Sequence, residues 1–168
     1  MKLVATSKAL EKYKPENVVF VLSFDRENNR PSGMVAGWNT ICSFDPYMIA
    51  VAIWKGGYTH KLIRDTKEFV VAIPNKSLEK AIEVFGEQHG DKIDKFKVSK
   101  VACTKAKFVK VPLLFEATIN FECKLEKEVD CADHILFIGK IIASHINENK
   151  KVLLYMGERR GKRVFQEF

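Results

Sequence analysis

Two stretches decide the fold: Pro112–Leu125, PLLFEATINFECKL, and His134–Ile146, HILFIGKIIASHI. Both are rich in β-branched and aromatic residues and read as long strands. They follow one another with no helical pattern between them. Further along, Lys151–Met156 and Arg163–Phe165 read as short strands around a Gly157–Gly161 turn. On the N-terminal side, Asn17–Phe24 reads as a strand and Asp25–Gly33 as a polar turn. Met34–Phe44 is apolar but broken at Gly37 and Asn39. A glycine inside such a pattern signals a bulge or a close backbone approach. After the Asp45-Pro46 turn, Tyr47–Trp54 is continuously apolar, as in a strand buried on both faces. Glu68–Ile73 is a strand that Pro74 ends.

Helical signals are few and short. Lys8–Tyr13 reads as a helix stopped before Pro15. Thr59 reads as an N-cap for a helix with Leu62 and Ile63 inward. Ser77 reads as the cap of another, with Leu78, Ala81, Ile82 and Phe85 at helical spacing and Gly86 closing it. The lysine-rich stretch after Gly86 shows little regular pattern. Six or seven strands and two or three helices, without β-α-β alternation, exclude a doubly wound parallel sheet. They indicate a mainly β (α+β) class: an antiparallel barrel with short peripheral helices.

At 168 residues the chain is one domain, residues 1–168. With 46% apolar and 29% charged residues it belongs with globular proteins rather than disordered or fibrous ones. No apolar run approaches a membrane span. The net charge of +7 is concentrated in two segments, Gly86–Lys110 and Glu158–Arg163. Either could attract an anionic ligand or simply be a solvated surface. Cys42, Cys103, Cys123 and Cys131 form no C-x-x-C pair, and three of them sit in contexts where cysteine acts as a small hydrophobe. With no apolar segment after Met1 and Lys2, the expected location is the reducing cytoplasm.

His60, His89, His134 and His145 have no metal-ligand spacing, so no metal is expected. There is no G-x-S-x-G and no phosphate-loop signature. Three segments remain. Lys55-Gly56-Gly57-Tyr58-Thr59 joins a strand end to a helix start, where free N–H groups and the helix dipole suit a phosphate; an ordinary capped helix would look the same. Gly37-Trp38-Asn39-Thr40 could lie against a flat ligand or form a bulged edge strand with Trp38 in the core. Asp133-His134 opens a strand, where the imidazole could meet a ligand or sit inertly at the surface.

The order of these pieces resembles the flavin reductase-like family. Met34–Pro46, MVAGWNTICSFDP, is similar to its stretch of small and hydroxyl residues ending in S-x-D-P. Tyr58–Ile63 followed by Glu68–Val71 resembles its T-x-x-x-I and E-F-V-V elements. Asp94–Phe96 matches its D-K-F; Phe121–Leu125 and Asp133–Gly139 match E-C-x-L and D-H-x-L-F-I-G; Leu153–Gly157 matches L-L-Y-x-G. The resemblance implies a Greek-key FMN-binding split barrel that forms a homodimer with flavin near the subunit interface. It implies that Gly37, Trp38, Asn39 and Thr40 line the flavin ring and ribityl chain. Lys55, Gly57, Tyr58 and Thr59 would hold the phosphate, and His134 would lie by the flavin or nicotinamide ring. The implied cofactor is FMN, or FAD, with NADH or NADPH as donor. The implied acceptor is free flavin, a ferric chelate or a redox partner protein. A flavoredoxin-type carrier without its own NAD(P)H activity is the alternative. Nucleic-acid binding is disfavoured, because Lys92–Lys110 holds only Phe96 and Phe108 as stacking platforms.

Overall fold

The computed structural model describes residues 1–168. Its strands are β1 (Glu16–Asn17), β2 (Val19–Asp25), β3 (Arg30–Ala36), β4 (Asn39–Phe44), β5 (Tyr47–Trp54), β6 (Glu68–Ile73), β7 (Cys103–Thr104), β8 (Leu113–Leu114), β9 (Ile119–Cys131), β10 (His134–Ile146), β11 (Leu153–Arg159) and β12 (Lys162–Glu167). The helices are α1 (Thr6–Leu10), α2 (Tyr58–Thr66), α3 (Glu79–Glu87) and α4 (Lys95–Ser99), with a 3-10 turn at Lys76–Leu78.

Every strand pair is antiparallel. Seven strands form one sheet in the order β3-β2-β6-β9-β10-β5-β4. Its two edges, β3 and β4, are consecutive in the chain and are joined only by Gly37 and Trp38. Three Cα steps span at most about 11 Å. The edges must therefore meet at this corner, and the sheet curls into a barrel that stays split where β3 and β4 are unpaired. This is the expected antiparallel Greek-key split barrel. Strands β1, β11 and β12 form a separate sheet, and β7 pairs with β8.

Alternate residues of the central strands feed two cores. Val19, Val21, Phe69 and Val71 point into the barrel with Val51, Ile53 and Phe137. Phe20, Leu22, Val70 and Ala72 point outward beneath Ala81, Ile82 and Phe85 of α3. Phe20 and Phe85 meet edge to face with centroids 5.1 Å apart. Gly139 breaks the apolar run of β10 for a steric reason: a Cβ there would fall 2.3 Å from the Phe69 ring.

Several boundaries differ from the sequence reading. The long strand expected at Pro112–Leu125 begins at Ile119 and runs on to Cys131. Its early part is diverted: Asn120 Oδ1 accepts from Leu114 N–H and its Nδ2 donates to Leu114 O, both at 3.0 Å. Thr59 is not the N-cap. Gly57 holds that position, α2 begins at Tyr58, and Thr59 is its second residue. Asn75, not Ser77, caps the turn before α3 by accepting from Ser77 N–H at 2.8 Å. Gly86 lies inside α3. Only four residues separate β2 from β3, so the polar turn is shorter than Asp25–Gly33. In β5, Ile49, Ala50, Val51 and Ile53 are buried but Tyr47 and Trp54 are exposed. Of the cysteines only Cys123 is buried; Cys42, Cys103 and Cys131 are exposed.

The lysine-rich stretch is more ordered than its composition implies. Asp94 caps α4, accepting from Lys97 N–H at 3.1 Å. Lys95 is 5% exposed, and its Nζ donates to Gly33 O (2.9 Å) and Phe85 O (2.8 Å). Burial pushes this ammonium down to about 8. Downstream, the fully buried Glu122 collects the segment's backbone. Its carboxylate accepts from the N–H groups of Lys107 (2.8 Å), Phe108 (2.6 Å) and Val109 (3.1 Å), with His145 Nε2 at 2.7 Å. Glu68 likewise accepts from Lys110 N–H at 2.9 Å. Strand-less backbone is thus satisfied by side chains of the neighbouring sheet.

Candidate functional site

The split corner gathers the residues singled out from sequence. Trp38 closes the edge: its carbonyl accepts from Ala52 N–H at 3.0 Å, extending the β4–β5 ladder by one bond. Its side chain is 57% exposed rather than in the core. Strand register sets His134 opposite Trp54 across β10 and β5, so the two side chains share a face. The His134 ring lies 5.0 Å from the Trp38 ring, tilted by 45°. Gly37, Trp38 and His134 line one cleft of about 240 Å³, together with Glu16, Met34, Ala52 and Trp54.

His134 Nδ1 sits 2.8 Å from Asp133 Oδ1, and this contact holds the Asp133 carboxyl below its usual range. With a carboxylate accepting at Nδ1, a neutral imidazole leaves Nε2 as an acceptor.

The glycine loop is tied to the same place. Lys55 N–H donates to Asp133 O at 3.0 Å, and Gly57 N–H donates to Trp54 O at 2.9 Å. The Trp54 ring lies over Gly56, 2.4 Å from where a Cβ would be. Helix α2 has no side-chain cap, so its first-turn N–H groups are available to an anion. Thr59, 2% exposed, sits in that first turn. Lys55 is at the surface in an ion pair with Asp130 at 2.7 Å, of the exposed kind that contributes little to stability. The Tyr58 side chain turns away: its hydroxyl donates to Asp25 Oδ2 at 2.8 Å. Burial and that carboxylate push the phenol up to about 12. Asp25 is buried, which alone would raise its carboxyl. Hydrogen bonds from Asn28 and Tyr58 and the charge of Arg30 outweigh that and hold it below its usual range.

Asn39 and Thr40 are not in this cleft. They line a separate, mostly apolar groove of about 420 Å³ with Asn17, Ile41, Ile49 and Phe121. Conversely, sequence reasoning missed Trp54 and Glu16. The last residue of an apolar strand reads as core, and Glu16 reaches the cleft only because β1 pairs with β11 beside it. No residue of the basic segments lines this cleft, but Glu158 and Arg163 line a neighbouring one of about 310 Å³ that shares Glu16, Val35 and Gly37 with it. Arg163 sits against Gly86, 3.7 Å from Glu87.

The model of the flavin reductase like domain matches residues 13–162. The chain belongs to the flavin reductase-like family. A relative from Archaeoglobus fulgidus, itself uncharacterised, is 40% identical over 113 residues, which cover 67% of this chain and 64% of the relative. The chain thus spans just under two thirds of that protein's length. A ferric-chelate reductase (NAD(P)H) of the same organism is 26% identical over 144 residues, covering 85% of this chain and 83% of that protein. Among solved structures, the NADH:FAD oxidoreductase of Streptomyces globisporus superposes with a TM-score of 0.85 at 22% identity. It covers 100% of this chain and 98% of that one, and shares the fold. No helix of this family member is long and apolar enough to cross a membrane.

Proposed function

We propose that this protein is an FMN-dependent oxidoreductase that takes electrons from NADH or NADPH and delivers them to a second acceptor. The observation carrying this reading is the hydrogen bond from Lys55 N–H to Asp133 O, which joins the phosphate-type loop to the Trp38–His134 cleft. An anion end and a flat aromatic end thereby lie side by side, as a flavin mononucleotide requires. The matched family, and relatives whose names include ferric-chelate and flavin reductases, support the same class.

Gly37 and Trp38 hold the ring, and the α2 amides with Lys55, Gly57 and Thr59 hold the phosphate. Asn39 and Thr40 are assigned to the ribityl chain on family resemblance alone. His134 fixes the position of the flavin or nicotinamide ring through an imidazole that Asp133 orients. When bound, the flavin supplies the hydride-accepting ring and releases electrons singly or in pairs. The chain's part is stacking, alignment and exclusion of water. FAD differs from FMN beyond the phosphate and is the second cofactor to test. A homodimer agrees with the apolar groove beside β4, where Ile41 is exposed. The reducing cytoplasm is its proposed location.

Purified protein incubated with FMN is expected to retain a flavin absorption band that bleaches anaerobically with NADH or NADPH. Retention without bleaching would make it a carrier reduced by another protein. Failure to take up any flavin would overturn the reading.

A further inference from the structure

Beside the flavin cleft lies the second pocket, of about 310 Å³, and Glu16, Val35 and Gly37 line both. Strands β11 and β12 form one of its walls. Register sets Tyr155 opposite Phe165 and Glu158 opposite Arg163. Three residues apart on a regular strand, Tyr155 and Glu158 would point to opposite faces. The bulge between Tyr155 and Gly157, where Gly157 takes a φ of +104°, returns them to one face. All four side chains consequently line the pocket. Tyr155 and Phe165 are half-buried, with ring centroids 5.6 Å apart, and Val18 and Ile82 add apolar ground beside them.

The charges of this pocket differ in how firmly they are tied. Lys14 pairs with Glu16 at 2.5 Å. Arg163 lies over Gly86, its Nη1 3.1 Å from where a Cβ would be, and reaches Glu87 at 3.7 Å. At that distance, with the Arg163 side chain 36% exposed, the pair is weak and the guanidinium donors remain open. Beyond Arg163 the hairpin tip carries Arg159, Arg160 and Lys162, all exposed. A basic rim draws in phosphate, and a guanidinium holds it through charge-assisted hydrogen bonds. A carboxylate such as Glu158 accepts from ribose hydroxyls, and half-buried rings suit a base. An anionic ferric chelate would use the guanidinium but neither the rings nor the carboxylate.

FMN brings one phosphate, and the α2 amides with Lys55 are assigned to it. The second anion-binding place is left for the other nucleotide of the reaction. We propose, resting on the reading of the protein as a flavin-dependent oxidoreductase, that the pocket between β1, β11, β12 and α3 binds the adenosine diphosphate portion common to NADH and NADPH, with Arg163 holding a phosphate. Gly37, on the shared wall, leaves the pocket and the flavin cleft undivided by a side chain, so the nicotinamide end of the same donor reaches the flavin ring.

The test uses FMN-loaded protein and ADP as the probe. Equilibrium dialysis without any donor measures ADP binding, and the flavin band of the same sample measures cofactor retention. Arg163→Met is expected to weaken ADP binding about tenfold at unchanged flavin retention, with Arg163→Lys recovering part of it. Glu87→Gln removes the same ion pair but keeps the guanidinium, and is expected not to weaken ADP binding. In anaerobic stopped-flow bleaching with NADH or NADPH, added ADP should raise the donor concentration that gives half the limiting rate, and Arg163→Met should raise it about tenfold. Absence of ADP binding, unaltered ADP binding in Arg163→Met, or an equal loss in Glu87→Gln would overturn the assignment while leaving the flavin reading intact. Weakened FAD retention in Arg163→Met with donor binding unchanged would give the pocket to the flavin and overturn it as well. Protein that takes up no FMN would overturn both.

Discussion

Two faces of the barrel use polar and aromatic residues in opposite ways. On β9, Asn120 and Glu122 are buried and spend their acceptors on the backbone of residues 107–114 and, for Glu122, on His145 as well. At the β3–β4 corner, Trp38, Trp54 and His134 stand partly in solvent with few partners in the chain. On the first face buried polar groups are satisfied by the chain itself and belong to the scaffold, whereas at the corner two large indoles are left more than half exposed.

Substitutions should split accordingly, with stability changing on the first face and binding on the second. The largest effect is expected from Glu122→Gln, which leaves three amides and His145 poorly matched. It should cost about 3–5 kcal/mol in urea unfolding, with FMN retention by the remaining folded protein unchanged. Burial alone would raise the Glu122 carboxyl, but the amides of Lys107, Phe108 and Val109 and His145 outweigh it and hold it low. Its stabilising contribution is therefore complete above the ordinary carboxylate range and disappears as pH falls through the lowered folded value. An acid titration in which the Glu122→Gln protein unfolds no earlier than wild type would break the comparison.

Lys95→Met comes next. Loss of two hydrogen bonds to carbonyl oxygens is expected to cost about 1–3 kcal/mol. Lys95 also has a signature of its own. Its folded value of about 8 lies below the ordinary 10.5, so the unfolded chain binds more protons between those values. Stability should rise with pH across that window in the wild type, and this component should vanish in Lys95→Met. Chemical unfolding at a series of alkaline pH values measures it.

Smaller effects on stability belong to the cleft side. Thr59→Ala should leave the fold intact while weakening FMN retention about tenfold. Unchanged affinity in an ultrafiltration assay would remove Thr59 from the phosphate site. The least costly change is His134→Ala, expected within about 1 kcal/mol in stability. In stopped-flow measurements it should slow flavin reduction more than it weakens flavin binding. Equal reduction rates would place His134 outside the reaction.

The β architecture was legible because strand-forming residues and turn residues recur in blocks, and Tyr47–Trp54, Glu68–Ile73 and His134–Ile146 match observed strands end to end. Pro112–Leu125 was misplaced because local pattern cannot show that Asn120 will tie down Leu114. Thr59 lost the capping role because Gly57, with no side chain, starts the helix one residue earlier. In the candidate site, Gly37, Trp38 and His134 were found from sequence and are together in space. Asn39 and Thr40 were grouped with them by adjacency, but strand alternation and curl take them into another groove. Trp54 was missed because an apolar residue ending an apolar strand looks buried.

By itself, the sequence determined the antiparallel β class and the order of motifs that resembles the flavin reductase-like family. These follow from local propensity and apolar periodicity, which act over a few residues. Only the tertiary structure decided which polar residues are internal, where the +7 charge falls relative to the cleft, and which aromatics line that cleft. Those outcomes depend on the curl that brings β3 against β4 and on register across β5 and β10, both set by packing between residues distant in the chain.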